Sequence, residues 1–402
     1  MTARPYLSIL LWMICASSAS AQTDVLSLAI GDPARSEREV GVRLDTILDT
    51  ATDEIISPQG LVEQLSGNRV VLIGEEHTGD EFHTVQLRVL ELLHAANAEL
   101  AVGLEMFPVD HQAVLDAWIG GGLDEQAFID TADWYRVWGY HWGYYREIFL
   151  FAREHAIPMI ALREPVDENA GSAAEELPVA PESEDHMALV QAFFETDSPV
   201  HGGLSPEQLD ALVAAQSARD AAMASQVTTA LREHPSRTLV VLAGTGHVLY
   251  GLGIVRQLPE SDRRTAVSIL PVEVEDAETI VRASVGDYVW GIPKLPYPRF
   301  PELGVITMQV DDGLQVIYVE SDSPAGEAGV ETGDVLTALN GNPLTEKRDL
   351  GQAVAGAAWG DAAAITLGSS TTIGTSRSTE LTTTLRAMPN GKPYTPMTFS
   401  TT

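Results

Sequence analysis

The chain has almost no cysteine, since Cys15 is the single one among 402 residues. Outside the first residues it can therefore form neither a disulfide nor a cysteine metal site. It is also poor in basic residues, with 24 Lys and Arg against 57 Asp and Glu and a formal net charge of -33. A chain this acidic disfavours nucleic acid and anionic membranes as partners.

The sequence also lacks an apolar run long enough to span a membrane. Its first 21 residues instead have the pattern of a secretory signal: Arg4, an apolar stretch from Leu7 to Cys15, and the small-residue site Ala19-Ser20-Ala21. We expect cleavage near Ala21, which removes the cysteine. The product should be periplasmic or secreted.

Strand and helix patterns alternate along the next part of the chain. Residues 22–66 read as a polar lead-in with a possible helix near 61–65. Short apolar runs predict strands at 70–74, 100–105, 157–162, 238–243 and 265–270. Amphipathic periodicity predicts helices at 83–96, 111–119, 142–155, 186–196, 206–234 and 247–258. The alternation predicts an α/β fold with a mostly parallel sheet and helices on both faces.

Four of the predicted strands end in side chains that can carry chemistry. Two Gly-x-x-His turns, Gly74–His77 and Gly244–His247, each follow a buried strand, and Glu105 and Arg163 end two others. Ligands of open α/β sheets bind at the carboxyl ends of the strands. We therefore expect these side chains to share one edge of the sheet.

One carboxylate with two imidazoles can hold a divalent metal or divide acid and base roles. His77, Glu105 and His247 are thus candidate metal ligands, and with Arg163 they are the candidate catalytic residues of a hydrolase. Arg163 could hold a carboxylate or an oxyanion. His83, which follows the first turn, is a candidate direct or supporting ligand.

The helix predicted from Pro206 carries two polar residues in its apolar stripe. The stripe consists of Leu209, Val213, Gln216, Asp220, Met223 and Val227. A buried amide or carboxylate is costly unless it has a partner. Gln216 and Asp220 therefore either bond a neighbouring loop or orient the residues at the sheet edge.

Residues 134–145 concentrate seven aromatics and a histidine in a chain that is 6% aromatic. They could form a packed hydrophobic cap. They could also form a surface for a flat ligand such as haem, with Tyr or His reaching the iron.

The segments Gly74–His77, Leu104–Phe107, Ala215–Ala224 and Ala243–Val248 together resemble the ChaN-type haem-binding proteins of the Tiki/TraB superfamily. The resemblance covers residues 45–275. It implies an exported haem binder associated with iron uptake. The candidate haem-binding residues are His77, His83, Tyr140, His141, Tyr144, Tyr145 and His247.

The same superfamily contains metal-dependent proteases that use the paired turns and a Glu. A metal-dependent hydrolase is therefore the alternative, with a divalent metal in place of haem; a non-catalytic adaptor is a third possibility. Two positions depart from the family pattern, which often has Asp at the position of Thr78 and Pro at the position of Val255.

The C-terminal part resembles a bacterial PDZ domain through Ser323–Val330 and Thr332–Gly341. The predicted elements are strands at 305–310, 314–320, 334–339, 363–367 and 379–385, and helices at 324–329 and 346–357. PDZ domains add a peptide as an extra strand and capture its terminal carboxylate. The residues expected to bind the peptide are Leu303, Gly304, Val305 and Ile306.

We expect five regions in all. They are a signal segment (1–21), the α/β domain (22–290), a proline-rich linker (291–302), the small PDZ domain (303–388) and a polar tail (389–402). The expected partners are haem and a peptide or protein C-terminus. The oligomeric state is left open, a dimer being possible.

Overall fold

The structure is a computed structural model that describes residues 25–165, 179–181, 183–197, 205–295, 298–320, 323–368 and 379–385. The predicted signal segment and polar tail lie outside these ranges. The chain divides into two compact units. The first contains the described residues up to Asp124 and Glu147–Lys294, and the second contains Glu125–Arg146 and the described residues from Leu295 onward.

The strands of the described residues, in chain order, are β1 (Glu39–Val42), β2 (Ile47–Asp49), β3 (Glu54–Ile56), β4 (Val70–Glu75), β5 (Leu100–Pro108), β6 (Met159–Arg163), β7 (Thr238–Gly244), β8 (Ala266–Val274), β9 (Thr279–Arg282), β10 (Tyr288–Pro293), β11 (Val305–Val310), β12 (Gly313–Val319), β13 (Val335–Leu339), β14 (Asn342–Pro343), β15 (Ala362–Leu367) and β16 (Thr379–Thr384).

The α-helices are α1 (Pro58–Leu65), α2 (Asp80–Ala95), α3 (Gln112–Ile119), α4 (Glu125–Thr131), α5 (Trp134–Val137), α6 (Arg146–Glu154), α7 (Glu184–Asp197), α8 (Pro206–Glu233), α9 (Ile254–Gln257), α10 (Glu260–Arg263), α11 (Pro324–Ala328) and α12 (Lys347–Ala355). No helix in the described ranges is long and apolar enough to cross a membrane.

The first unit is built on an eight-stranded sheet in the order β3-β2-β10-β8-β4-β7-β5-β6. All pairs from β10 to β6 are parallel, and β2 and β3 pair antiparallel at one side. Strands β4 and β5 are buried along their whole length, as their unbroken apolar runs predict. The predicted mixed α/β fold with a mostly parallel sheet is confirmed.

The polar lead-in predicted for residues 22–66 is instead part of the fold. It supplies β2 and β3 to the sheet, and β1 forms a separate two-stranded sheet with β9. Three or four residues are too few to show an alternating pattern, which is why these strands were missed.

The single helix predicted at 247–258 is broken. Two 3-10 turns, Thr245–His247 and Leu249–Gly251, precede the short α9. Tyr250 has a left-handed backbone with a φ of 60°, which ends any helix. At Gly253, a Cβ atom would lie 2.2 Å from the carbonyl oxygen of His247, so only glycine allows the chain to pass there.

The second unit contains an antiparallel sheet in the order β11-β12-β13-β15-β16, with β14 paired to β13. Its core includes Leu314, Leu336 and Ile365, with Leu350 and Val354 of α12 packed against it. The strands and helices predicted for the PDZ domain are present here. The unit also incorporates the aromatic segment 125–146, which the sequence analysis had placed in the α/β domain.

Candidate functional site

The sheet order places four functional strand ends side by side, as β4, β7, β5 and β6 are consecutive neighbours. The register pairs Glu75 with Gly244, so the two Gly-x-x-His turns leave adjacent strands at the same level. Glu105 follows Leu104, which pairs with Leu242 of β7, and Arg163 ends β6. The four side chains named from the sequence therefore come from one edge of the sheet.

His247 lies between two carboxylates. Its Nε2 is 3.2 Å from Oε1 of Glu105, and its Nδ1 is 2.6 Å from Oδ1 of Asp220. All three side chains are almost completely buried. Because both ring nitrogens face acceptors, the ring donates from both only as the imidazolium. Burial lowers the pKa of His247, but the charges of Glu105 and Asp220 outweigh it and raise that pKa to about 10.

Glu105 is held as a carboxylate. The backbone N–H of Gly244 donates to its Oε2 at 2.6 Å, and Nη2 of Arg219 donates to its Oε1 at 3.2 Å. Burial alone would raise the pKa of Glu105, but His247 and the nearby cations lower it well below its usual range.

The two polar residues of the α8 stripe both contact His247. Nε2 of Gln216 is 2.9 Å from Nδ1 of His247, next to the contact that Asp220 makes. Burial raises the pKa of Asp220, against the opposing effect of His247. His247 belongs to a neighbouring turn and to the sheet edge, so these contacts are consistent with both alternatives left open by the sequence. Asp220 also faces a further buried imidazole, with its Oδ2 3.9 Å from Nε2 of His186.

His77 is paired with a residue of its own motif. Its Nδ1 donates to Oε1 of Glu75 at 2.7 Å, and Nε2 of Gln86 donates to Oε2 of the same carboxylate at 2.7 Å. Both ring nitrogens of His83 make hydrogen bonds in the same cluster. Nδ1 is 3.1 Å from Oε1 of Gln86, and Nε2 is 3.2 Å from the carbonyl oxygen of His77. Burial raises the pKa of Glu75, but His83 and His77 more than compensate and lower it.

Glu75 and Arg219 are site residues that the sequence analysis did not single out. The signal for Glu75 was present, because a carboxylate ending a fully buried apolar strand must have a partner. Arg219 is half-buried next to the α8 stripe and carried no comparable signal in the sequence.

Arg163 remains a cation at the sheet edge. Burial lowers its pKa to about 10, with Glu105 acting in the opposite direction, so the guanidinium is charged at neutral pH. It can thus supply positive charge to an anionic ligand group, as the sequence analysis expected.

In the part of the chain that the structure describes, no three His, Cys, Asp or Glu side chains are grouped so that they could hold a metal ion. The predicted divalent-metal set of His77, Glu105 and His247 is instead divided between two hydrogen-bonded groups. His77 bonds Glu75, and His247 bonds Glu105 and Asp220.

The aromatic candidates lie in the second unit and are packed together. His141 stacks on Phe300 with ring centroids 3.6 Å apart, donates from Nε2 to the carbonyl oxygen of Ala355 at 3.3 Å, and accepts at Nδ1 from the N–H of Gly143 at 2.9 Å. The hydroxyl of Tyr144 accepts from the backbone of Phe300 at 3.4 Å. Tyr144 and Tyr145 are buried, and Tyr140 is half-buried. Their part in haem binding stays a prediction.

The predicted peptide-binding loop, residues 303–306, packs closely against Ser323 and is hydrogen-bonded to Glu320. Gly304 has a φ of 74°, and a Cβ there would lie 2.0 Å from Cβ of Ser323. The backbone N–H of Glu320 donates to the carbonyl oxygen of Gly304 at 2.9 Å. Burial and the charge of Glu320 raise the pKa of Glu302, directly before the loop, to about 7.

Comparison with known families matches both units. Residues 61–258 match the family described as "Haem-binding uptake, Tiki superfamily, ChaN", and residues 301–368 match the PDZ domain family.

Among curated proteins, the matches fall in the PDZ region. A "Probable periplasmic serine endoprotease DegP-like" of Brucella suis biovar 1 is 38% identical over 82 residues, which is 20% of this chain and 15% of that protein. The corresponding protein of Rhizobium meliloti is 43% identical over 56 residues, or 14% of this chain and 11% of that protein. The chain thus matches only a small part of these relatives.

Among solved structures, the chain resembles ChaN of Campylobacter jejuni, a structure of cofacial haem binding. The TM-score is 0.50 at 21% identity, over 61% of this chain and 95% of that one. At this identity the likeness concerns the fold.

Proposed function

Because the chain carries a ChaN-type haem-binding domain of the Tiki superfamily followed by a PDZ domain, we propose that it is an exported protein that carries haem as cargo for iron uptake. The PDZ domain docks a peptide or protein C-terminus. Haem binds at the carboxyl end of β4 in the first unit, with His77 as the iron ligand.

The observation that carries this proposal is the hydrogen bond between Glu75 and His77. A metal-ligating histidine usually donates its other ring N–H to a carboxylate or carbonyl, which fixes the tautomer and the ring orientation. With Nδ1–H donated to Glu75, the lone pair of His77 is on Nε2, the nitrogen that would meet the iron. Gln86 holds the carboxylate from its other side.

The neighbouring imidazoles are the other candidates for this role. His83 has both nitrogens engaged, and His247 faces a carboxylate at each nitrogen. Either would have to break buried hydrogen bonds before it met iron. His77 is itself only 2% exposed, so haem binding requires the side chains that cover it to move aside.

The anionic groups of haem also find partners in the same unit. Haem carries two propionate carboxylates, and Arg163 and Arg219 are the cations close to Glu105. A guanidinium is the side chain best suited to a carboxylate. These two arginines are the residues we expect to hold the propionates.

Export and docking rest on independent support. The first 21 residues have the pattern of a signal segment, and the PDZ-matching relatives are described as periplasmic. In the second unit the loop 303–306 leads into the edge strand β11, where an added peptide strand would pair.

The ligand assignment is tested by haem titration of the wild type and three variants. His77→Ala should lose the Soret band of the bound form, since it removes the iron ligand. Tyr144→Phe and Tyr145→Phe keep the ring packing and remove only the hydroxyl, so the band should be unchanged. A band lost in a Tyr→Phe variant and kept in His77→Ala would assign a phenolate ligand instead.

His77→Ala, together with a further variant His247→Ala, distinguishes the hydrolase alternative. In that case His77→Ala and His247→Ala would abolish a divalent-metal-dependent cleavage, and haem would give no saturable spectrum.

A further inference from the structure

Two histidines outside the turns described above meet at the ends of two helices. His94 lies in the last turn of α2, and His155 follows the last residue of α6. Their ring centroids are 4.2 Å apart and the ring planes are tilted by 36°. Phe151 makes edge contacts with both rings, at centroid distances of 5.7 Å and 4.5 Å. Both histidines belong to the first unit.

The nitrogens of this pair have no protein partner in the described part of the chain. His94 is half-buried and His155 is exposed, and neither imidazole hydrogen-bonds to another described residue. By contrast, the rings of His77, His83 and His247 are all hydrogen-bonded. The ring nitrogens of His94 and His155 can therefore accept a ligand.

The positions of the two residues favour a cation. Each stands at the carboxyl end of a helix, where the unpaired carbonyl groups carry a partial negative charge. The backbone N–H of Asn97 bonds the carbonyl oxygen of His94 at 2.9 Å, and that of His155 bonds the carbonyl oxygen of Phe151 at 3.1 Å, which fixes both ends. Two helix ends and two imidazoles thus converge on one surface point.

The ring geometry suits a shared ion. Two imidazole nitrogens bound about 2 Å from one metal in neighbouring positions lie about 3 Å apart. With the ring centroids 4.2 Å apart, rotation about the broad χ2 torsion of histidine can bring one nitrogen of each ring toward a shared ion.

We propose that His94 and His155 form a surface site for a divalent transition-metal ion, with water completing the coordination. Imidazole ligands suit Zn²⁺, Ni²⁺ and Cu²⁺, and Cu²⁺ binds tightest in the order for a given site. The ion links the ends of α2 and α6. The site is independent of the proposed haem function.

The test is titration of the full chain, free of haem, with CuCl₂. Electron paramagnetic resonance should show nitrogen coupling from two imidazoles in the wild type. His155→Ala should weaken binding by at least about tenfold, the scale seen when even an outer partner of a metal ligand is removed. The double variant His94→Gln/His155→Gln, which keeps polar side chains on the surface, should lose this class of site.

His234→Ala is the matched control, because His234 also stands at the carboxyl end of a helix, α8, and no ring contact joins it to another histidine of the described ranges. It should bind Cu²⁺ as the wild type does. Equal stoichiometry and affinity in the wild type and the double variant would overturn the proposal. A haem spectrum unchanged in the double variant would show that metal binding at His94 and His155 is independent of haem binding.

Discussion

At the scale of single residues, the stability of the site depends on Asp220. This carboxylate is fully buried, and its Oδ1 lies 2.6 Å from Nδ1 of His247. Removing one partner of a buried ion pair costs about 3–5 kcal/mol, because the other charge is left buried and uncompensated.

Asp220→Asn should therefore lower the free energy of unfolding of the first unit by about 3 kcal/mol, measured by urea denaturation. Asparagine keeps the shape and one acceptor but removes the charge. Asp210→Asn, an exposed position on the same helix, should change that free energy by less than about 0.5 kcal/mol. A similarly small change for Asp220→Asn would show that His247 is not held as an imidazolium.

The sequence was sufficient to bring His77, Glu105, His247 and Arg163 to one edge of the sheet. This followed because parallel strands end at the same edge, and each residue ends an apolar run or lies in the turn that follows one. Which carboxylate pairs with which imidazole could not be predicted. Glu75 bonds His77 only through the conformation of the turn between them, which no residue pattern encodes.

At the scale of elements, the acidic residues around the peptide loop affect what the PDZ domain binds. Glu302 precedes the loop, and Glu320 bonds its backbone. The described part of α11 carries Glu327 and no basic residue, and no described Lys or Arg forms an ion pair with Glu302 or Glu320. A peptide carboxylate bound here would meet like charge whenever Glu302 is ionised.

Because the pKa of Glu302 is about 7, the residue is mostly neutral at pH 6 and mostly charged at pH 8. A peptide with a free apolar C-terminus should therefore bind the full chain about tenfold more tightly at pH 6 than at pH 8, measured by fluorescence anisotropy. The amidated peptide should show little pH dependence.

At both pH values, Glu302→Gln should bind the free-carboxylate peptide as tightly as the wild type binds it at pH 6. Glu331→Gln, an exposed position in the same unit, should keep the wild-type profile. The idea fails if Glu302→Gln retains that profile. Absence of peptide binding under all conditions would instead count against PDZ docking itself.

The aromatic segment shows where prediction from sequence ended. The PDZ elements were predictable because their order and turns are distinctive. Helices α4 and α5, with seven and four residues, are too short to display a helical period. Their place is fixed by distant residues: Tyr135 packs at Gly351, and His141 stacks on Phe300. A fragment limited to residues 300–388 would lack these partners.

At the scale of the whole molecule, the chain combines a strongly acidic composition with a cluster of three cations at one edge of the sheet. The formal charge is -33, yet Arg163, Arg219 and the imidazolium of His247 lie near Glu105. Net charge keeps the protein soluble and repels polyanions, whereas the local cations can still hold the carboxylates of a small ligand. This division suits a carrier of haem better than a protein that binds nucleic acid.

The most direct test of that account is the visible spectrum of the purified full chain during haem addition, together with its metal content. We predict a Soret band that saturates at a defined ratio of haem to protein. The account is contradicted if no saturable haem spectrum develops while the wild type retains a divalent metal that is lost in His77→Ala.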